Sequence, residues 1–434
     1  MTEPLPNGWK LFKLEQLGAW GTGGTPTRKR PDFFQGSIPW IKTGELVHKY
    51  IYDTSEKITE DAVKNSNAKI FPANSIAIAM YGATIGKVSI LAVPASTNQA
   101  CAVLTPDQRF FSPEFVYYLL CNAKNSLINL AKGGAQPNIS QTIVKGISVA
   151  IPPLLEQKRI VARLDRLLAR VDSCRAHLDR AATAIKRFRQ SVLNAAVTGQ
   201  LSEYFRKSSE YDNVELGWQI PDGWQLLSVE DVVDVKGGKR LPNGEKLISE
   251  VTKYPYIRAG QLKNGSVNTE GQLYLTEEAH SQISNYTVSS GDVYITIVGA
   301  CIGDAGIIPD IYNGANLTEN AAKLCNFKKP LKSEFLSYWL RSQYLQDTIQ
   351  QEIKSGAQGK LALKRIRSLP MPMPSLNEQN EIVQKVCSLF AFSDQIESKL
   401  TAARQRADNL TASILAKAFR GELVATPISD SGGN

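Results

Sequence analysis

The chain has 434 residues, 43% of them hydrophobic, enough for more than one core. Fifty Lys and Arg against 41 Asp and Glu leave a net charge of +9, which suits a polyanionic partner as well as it suits mere solubility. No apolar run approaches the ~18 residues of a membrane span, and Met1–Trp9 lacks the apolar stretch of a signal peptide.

In chain order, the first half opens on Leu-Pro-Asn-Gly-Trp, ending at Trp9. A glycine-containing polar loop follows at Thr22 to Arg30. Short strands are predicted over Ser75–Met80 and Lys87–Val93, on either side of Gly82-Ala83-Thr84-Ile85-Gly86. A helix is predicted from Pro113, with Ser112 as N-cap and proline in the first turn, ending before Gly133. The joint Ile151-Pro152-Pro153 closes this part, because proline continues neither ladder nor helix. Leu154 to Thr198 then contains no proline or glycine. Its apolar or small residues Leu164, Leu167, Val171, Cys174, Leu178, Ala181, Ile185, Phe188 and Val192 alternate steps of three and four, the spacing of a coiled coil. A helix of this length is about 65 Å long.

The second half repeats the first. Ile-Pro-Asp-Gly-Trp ends at Trp224, and Ile38-Pro39-Trp40-Ile41 answers to Tyr254-Pro255-Tyr256-Ile257. Gly299-Ala300-Cys301-Ile302-Gly303 answers to the Gly82 motif, with strands predicted over Asp292–Val298 and Ala321–Phe327. A helix is expected from near Ser333 to before Gly356. Glu378-Gln379 matches Glu156-Gln157 after the joint Met371-Pro372-Met373-Pro374. Ser375 to Arg420 carries the second seam: Val386, Leu389, Ser393, Ile396, Leu400, Ala403, Ala407, Leu410 and Ile414. A period near 200 residues is that of a domain, not of a solenoid repeat.

The expected class is α+β: two mixed globular heads and an antiparallel pair of long coiled-coil helices, with internal pseudo-twofold repetition. The alternative for the helices is one packed inside a globule. The expected divisions are a head at 1–150, a helix at 151–201, a linker at 202–216, a head at 217–370, a helix at 371–423 and a flexible tail at 424–434.

Catalytic patterns fail on inspection. Gly82-x-x-x-Gly86-Lys87 is one residue short of a P-loop, has Val88 where Ser or Thr would hold magnesium, and has Asp304 in place of the lysine in its second copy. Pro106-Asp107 with Glu156-Gln157-Lys158 spells a nuclease pattern, but its second element opens the long helix and its repeat lacks the lysine. No Asn/Asp-Pro-Pro-aromatic motif of an adenine methyltransferase is found. Six cysteines without a CxxC pair, and histidines only at 48, 177 and 280, give no metal motif and fit a reduced cytosolic protein.

Polar loops at equivalent places point instead to nucleic acid. Thr25, Arg28, Lys29 and Arg30 beside Gly23-Gly24 parallel Lys236, Lys239 and Arg240 around Gly237-Gly238. Paired glycines let backbone approach a ligand, and the basic residues suit phosphates or guanine edges. A solvated hairpin turn accounts equally well for one such loop alone. Gln136 and Asn138 after Gly133-Gly134, and Gln358 and Lys360 around Gly356-Ala357, add amides of the kind that pair with adenine, though helix-ending glycines explain part of the motif. Asn98, Gln99 and Asn320 are further candidates, and Lys42, Tyr81, Lys87, Arg258 and Gln261 follow by position.

The whole chain resembles the specificity subunits of type I restriction–modification enzymes. The resemblance rests on the Pro-x-Gly-Trp openings, Ile-Pro-Pro-Leu-x-Glu-Gln at 151–157, Arg187 to Leu193, and Asn409 to Leu423. It implies two target-recognition domains, each reading half of an asymmetric DNA site, and no catalytic centre or cofactor in this chain. It also implies two modification subunits that methylate adenine N6 with S-adenosylmethionine, and two restriction subunits that use ATP and Mg2+. The second head matches the first poorly outside the frame, as different half-sites require. A free-standing DNA-binding scaffold or repressor would bind its site tightly alone; a catalytic methyltransferase or nuclease would need a motif that is not found.

Overall fold

The computed structural model describes residues 5–130, 138–206, 210–213, 219–355 and 360–424. They fall into two units, Met1–Leu178 with Ala402–Asn434, and Asp179–Thr401, so each long helix gives one half to each unit. The expected tail, beyond Val424, lies outside the described residues, as do 207–209 and 214–216 of the expected linker.

The first unit is built on a five-stranded sheet in the order Gly18–Thr22, Cys101–Pro106, Ile76–Ala79, Val88–Leu91, Tyr50–Ile51. All neighbours are antiparallel except the last pair. Alternate side chains of the buried Ile76-Ala77-Ile78-Ala79 face opposite ways. Ile76 and Ile78 join Ile90, Leu104, Phe115 and Leu119, whereas Ala77 and Ala79 join Ile41, Leu91 and Val103. The first of these clusters also takes in Ile160, Leu164 and Val171 of one long helix and Ile414, Leu415 and Ala418 of the other.

The second unit repeats the plan with four strands, Asp234–Gly237, Ala321–Cys325, Val293–Thr296 and Ala305–Ile307. Val293 and Ile295 pack with Phe335, Trp339, Val192, Ile382 and Val386, while Tyr294 faces Ile257 and Leu317. In both units a short parallel pair stands beside the main sheet: Ile38–Ile41 with Ala95–Thr97, and Pro255–Ile257 with Asn316–Leu317.

Each predicted helix after the sheet is two. Pro113–Asn122 gives way to Lys124–Leu130, and Ser333–Arg341 to Gln343–Ser355. Ser342 is extended and buried. Its backbone N–H and its hydroxyl both bond the Trp339 carbonyl, replacing the bonds a continuous helix would make.

The long helices span Leu154–Val197 and Leu376–Phe419. Arg175 reaches Asp408 at 2.7 Å and Arg189 reaches Asp394. The partner number falls as the residue number rises, so the helices run antiparallel. Leu164, Val171, Ile185 and Val192 are buried as expected, but Cys174 and Phe188 are exposed, as is Leu410 on the other helix. The reason is the drift of a 3.6-residue helix against a 3.5-residue pattern, which brings Arg175 and Arg189 toward the seam instead.

Each head is fastened to the start of the helix that follows it. Trp9 Nε1 donates to Glu156 and Trp224 Nε1 to Glu378, both at 3.0 Å. The proline joints lack N–H donors, and a buried glutamine supplies them. Gln157 Nε2 donates to the Pro152 and Phe110 carbonyls, and its Oε1 accepts from Ser112 N–H. Gln379 does the same with Pro374, Pro330 and Lys332.

Candidate nucleic-acid interface

The sheet topology gathers the polar loops of each unit at one edge. In the first, Gly18–Thr22 and Ile76–Ala79 end where Cys101–Pro106, antiparallel to both, begins. Gly24 N–H bonds Thr97 O at 2.9 Å, Asn98 N–H bonds Ile41 O at 2.9 Å, and Met80 N–H bonds Ala100 O at 2.9 Å. Ile139 N–H bonds Met80 O at 3.0 Å, and Asn138 pairs with Tyr81 as an isolated bridge. Thr25, Lys42, Tyr81, Lys87, Asn98, Gln99 and Asn138 thus share that edge. Thr25 donates its hydroxyl hydrogen to Gln99, and Asn98 Oδ1 is buried without a partner among the described residues.

The second unit repeats these bonds at its own edge. Lys239 N–H bonds Leu317 O at 2.8 Å, Thr318 N–H bonds Ile257 O at 3.1 Å, and Ile297 N–H bonds Asn320 O at 2.8 Å. Leu361 N–H bonds Ile297 O at 3.0 Å, and Lys360 pairs with Val298. Lys239, Arg240, Arg258, Asn320 and Lys360 therefore gather there. Lys236 sits within its strand, 3.7 Å from Asp234. Gln136 and Gln358 lie outside the described residues.

Two expectations are corrected. A Cβ on Gly23 would stand 2.0 Å from Thr97 O, and one on Gly238 would stand 2.1 Å from Thr318 O. These glycines let the chain approach itself, not a ligand. Gln261 is buried: its Oε1 accepts from Arg258 N–H, and its Nε2 serves Asn268 O and Gln272 Oε1. With the side chain buried and both amide hydrogens engaged, it is a turn-forming residue and not a base contact.

The cations differ in how they are held. Arg28 lies 4.2 Å over the Phe34 ring and 2.7 Å from Glu56, which also holds Lys42 at 2.7 Å. Hydrogen bonds from Arg28 and then Lys42 keep the Glu56 carboxyl below the usual carboxylate range. Arg30 forks onto Asp32 through Nε at 2.9 Å. Arg240 is only within 4.0 Å of Glu319, and Lys239 lies 5.3 Å over Tyr286. Lys29 is exposed and has no ion pair among the described residues.

A recess of about 450 Å³ beside Thr25 and Gln99 adds Asn67 and Lys69, which sequence reasoning missed. They precede the strand Ile70–Phe71, whose Ile70 pairs with Ser96 and so brings Lys69 to the same edge. The resulting rim of amides, hydroxyls and cations has the chemistry of groove and phosphate contacts. Among the described residues no group of three or more His, Cys, Asp and Glu could hold a metal, and no helix is long and apolar enough to cross a membrane.

The type I restriction modification DNA specificity domain matches residues 6–179 and again 221–403. The specificity subunit of the EcoBI enzyme of Escherichia coli is 33% identical over 345 residues, 76% of this chain and 70% of that one. The EcoKI specificity subunit of Escherichia coli K12 is 28% identical over 437 residues, covering 97% and 90%. A chain from a solved type I R-M system superposes with a TM-score of 0.74 at 18% identity, covering 97% of this chain and all of that one. The HsdS subunit of Thermoanaerobacter tengcongensis gives 0.51 at 19% identity, covering 96% and 98%; both likenesses speak to fold alone. The chain belongs to the type I restriction–modification specificity family, whose members recognise DNA rather than catalyse.

Proposed function

We propose that the chain reads a split, asymmetric duplex DNA site, one half with each head, and positions partner enzymes on it. The observation that carries this reading is the same edge built twice, by the same backbone bonds, with different side chains on its rim. Two modification subunits and two restriction subunits are the partners, one of each per repeat. S-adenosylmethionine, ATP and Mg2+ belong to those subunits, and the complex works in the cytoplasm.

The test exchanges Gly8 to Val149 for the corresponding head of a relative and maps methylated adenines on the host genome. One half-site should change and the other persist. A change in both halves, or in neither, refutes two independent readers.

A further inference from the structure

We propose that a recess in the second unit is a binding site for a phosphate oxyanion. Its volume is about 290 Å³, enough for one such group, and its lining includes Lys186 and Arg189 from the first long helix with Asp304 and Arg341 from the head. Arg341 carries five N–H donors, yet its guanidinium has no hydrogen bond or ion pair among the described residues. The turn at Asn264-Gly265, both left-handed, closes over it: a Cβ on Gly265 would stand 2.3 Å from Arg341 Nη1. Lys186 also has no ion pair among the described residues. Arg189 is held by Asp394 and Glu397, but its Nε is buried and has no partner among the described residues.

Donors without acceptors on one side of a recess call for an acceptor-only ligand. The opposing group is Asp304, whose carboxyl burial pushes upward and Arg341 pulls down. Burial likewise pushes the Arg341 guanidinium down, and the charge of Asp304 only partly opposes it. Tyr294, Tyr338 and Arg189 are the other titratable groups facing Arg341; Arg189 adds a like charge, and neither tyrosine is an anion near neutral pH, since burial raises both. At the equivalent places of the first unit stand Cys121 for Arg341 and Lys87 for Asp304.

The oxyanion has two sources, free phosphate or a DNA backbone phosphodiester; only the second rests on the DNA reading proposed above. Calorimetric titration of the full chain with inorganic phosphate at low ionic strength reads the first. One phosphate per chain is expected, weakened about tenfold or more by Arg341→Met. Lys186→Ala, which touches no core, should weaken it too, and Asp304→Asn should tighten it. Salt dependence of duplex DNA binding reads the second source: Arg341→Met and Lys186→Ala should each lower the slope by about one. A response in either arm supports the site and names its source. Unchanged slopes together with either no phosphate binding or phosphate binding indifferent to Lys186 and Asp304 overturn it. A chain that binds phosphate but no duplex sinks only the DNA reading.

Discussion

In the first unit Trp9 donates to Glu156, whose carboxylate accepts no other side-chain hydrogen bond among the described residues; in the second Trp224 donates to Glu378, which also takes Ser202 Oγ at 2.7 Å and Arg206 at 2.9 Å. The same fastening thus does one task in the first unit and two in the second, where it also holds the segment after the first long helix. The rims diverge further: Glu56 clamps Arg28 and Lys42 in one head, whereas Gln261 and Gln272 shape the turn below Arg258 in the other. Duplication kept the bonds that hold a head on its helix and released the side chains that face outward.

The largest expected effect breaks the fastening. Glu378→Ala strands a buried arginine and should cost about 3–5 kcal/mol, whereas Glu156→Ala loses one charge-assisted bond, about 1.5–3 kcal/mol. Denaturant unfolding of the full chain checks this; equal losses would show that Arg206 adds nothing.

Next comes the spacing of the heads. Four residues inserted after Leu178 and four after Gln405 add one turn to each helix, roughly 6 Å, as a stutter that leaves the seam paired. With a rise of ~3.4 Å per base pair, the unread gap should widen by one or two base pairs while both half-sites stay as they were. Methylome sequencing reads the gap, and an active variant with the original gap would show that the helices do not set it.

The smallest effect concerns single cations. Lys29→Ala should lower the salt slope of DNA binding by about one. Arg30→Ala should lower it less, because Asp32 already neutralises that guanidinium. Glu56→Gln should raise the slope by freeing Arg28 and Lys42. If Arg30→Ala relaxed base choice at one position with the slope unchanged, Arg30 would be a reader and not a phosphate contact.

Much of this plan was legible because it is written twice. The Gly82 and Gly299 motifs, meaningless as phosphate loops, recur because both are hairpin turns with glycines at φ +62, +74, +101 and +95. Conversely, Gln261 was misread because position in a repeat says where a residue lies, not whether its amide is already spent. Cys174 and Phe188 were misread because a strict heptad ignores helical drift. Asn67 and Lys69 were invisible, since their edge is assembled by a strand pairing that local sequence does not announce.

Gln157 and Gln379 bear on how the chain breathes. Each buried amide joins a proline joint, the loop before a head helix and the first turn of a long helix. None of the three segments can open without stranding the amide, so their backbone hydrogens should exchange with solvent in step. Substituting either glutamine by leucine would uncouple them, and the loop before the head helix would become the first place a protease cuts.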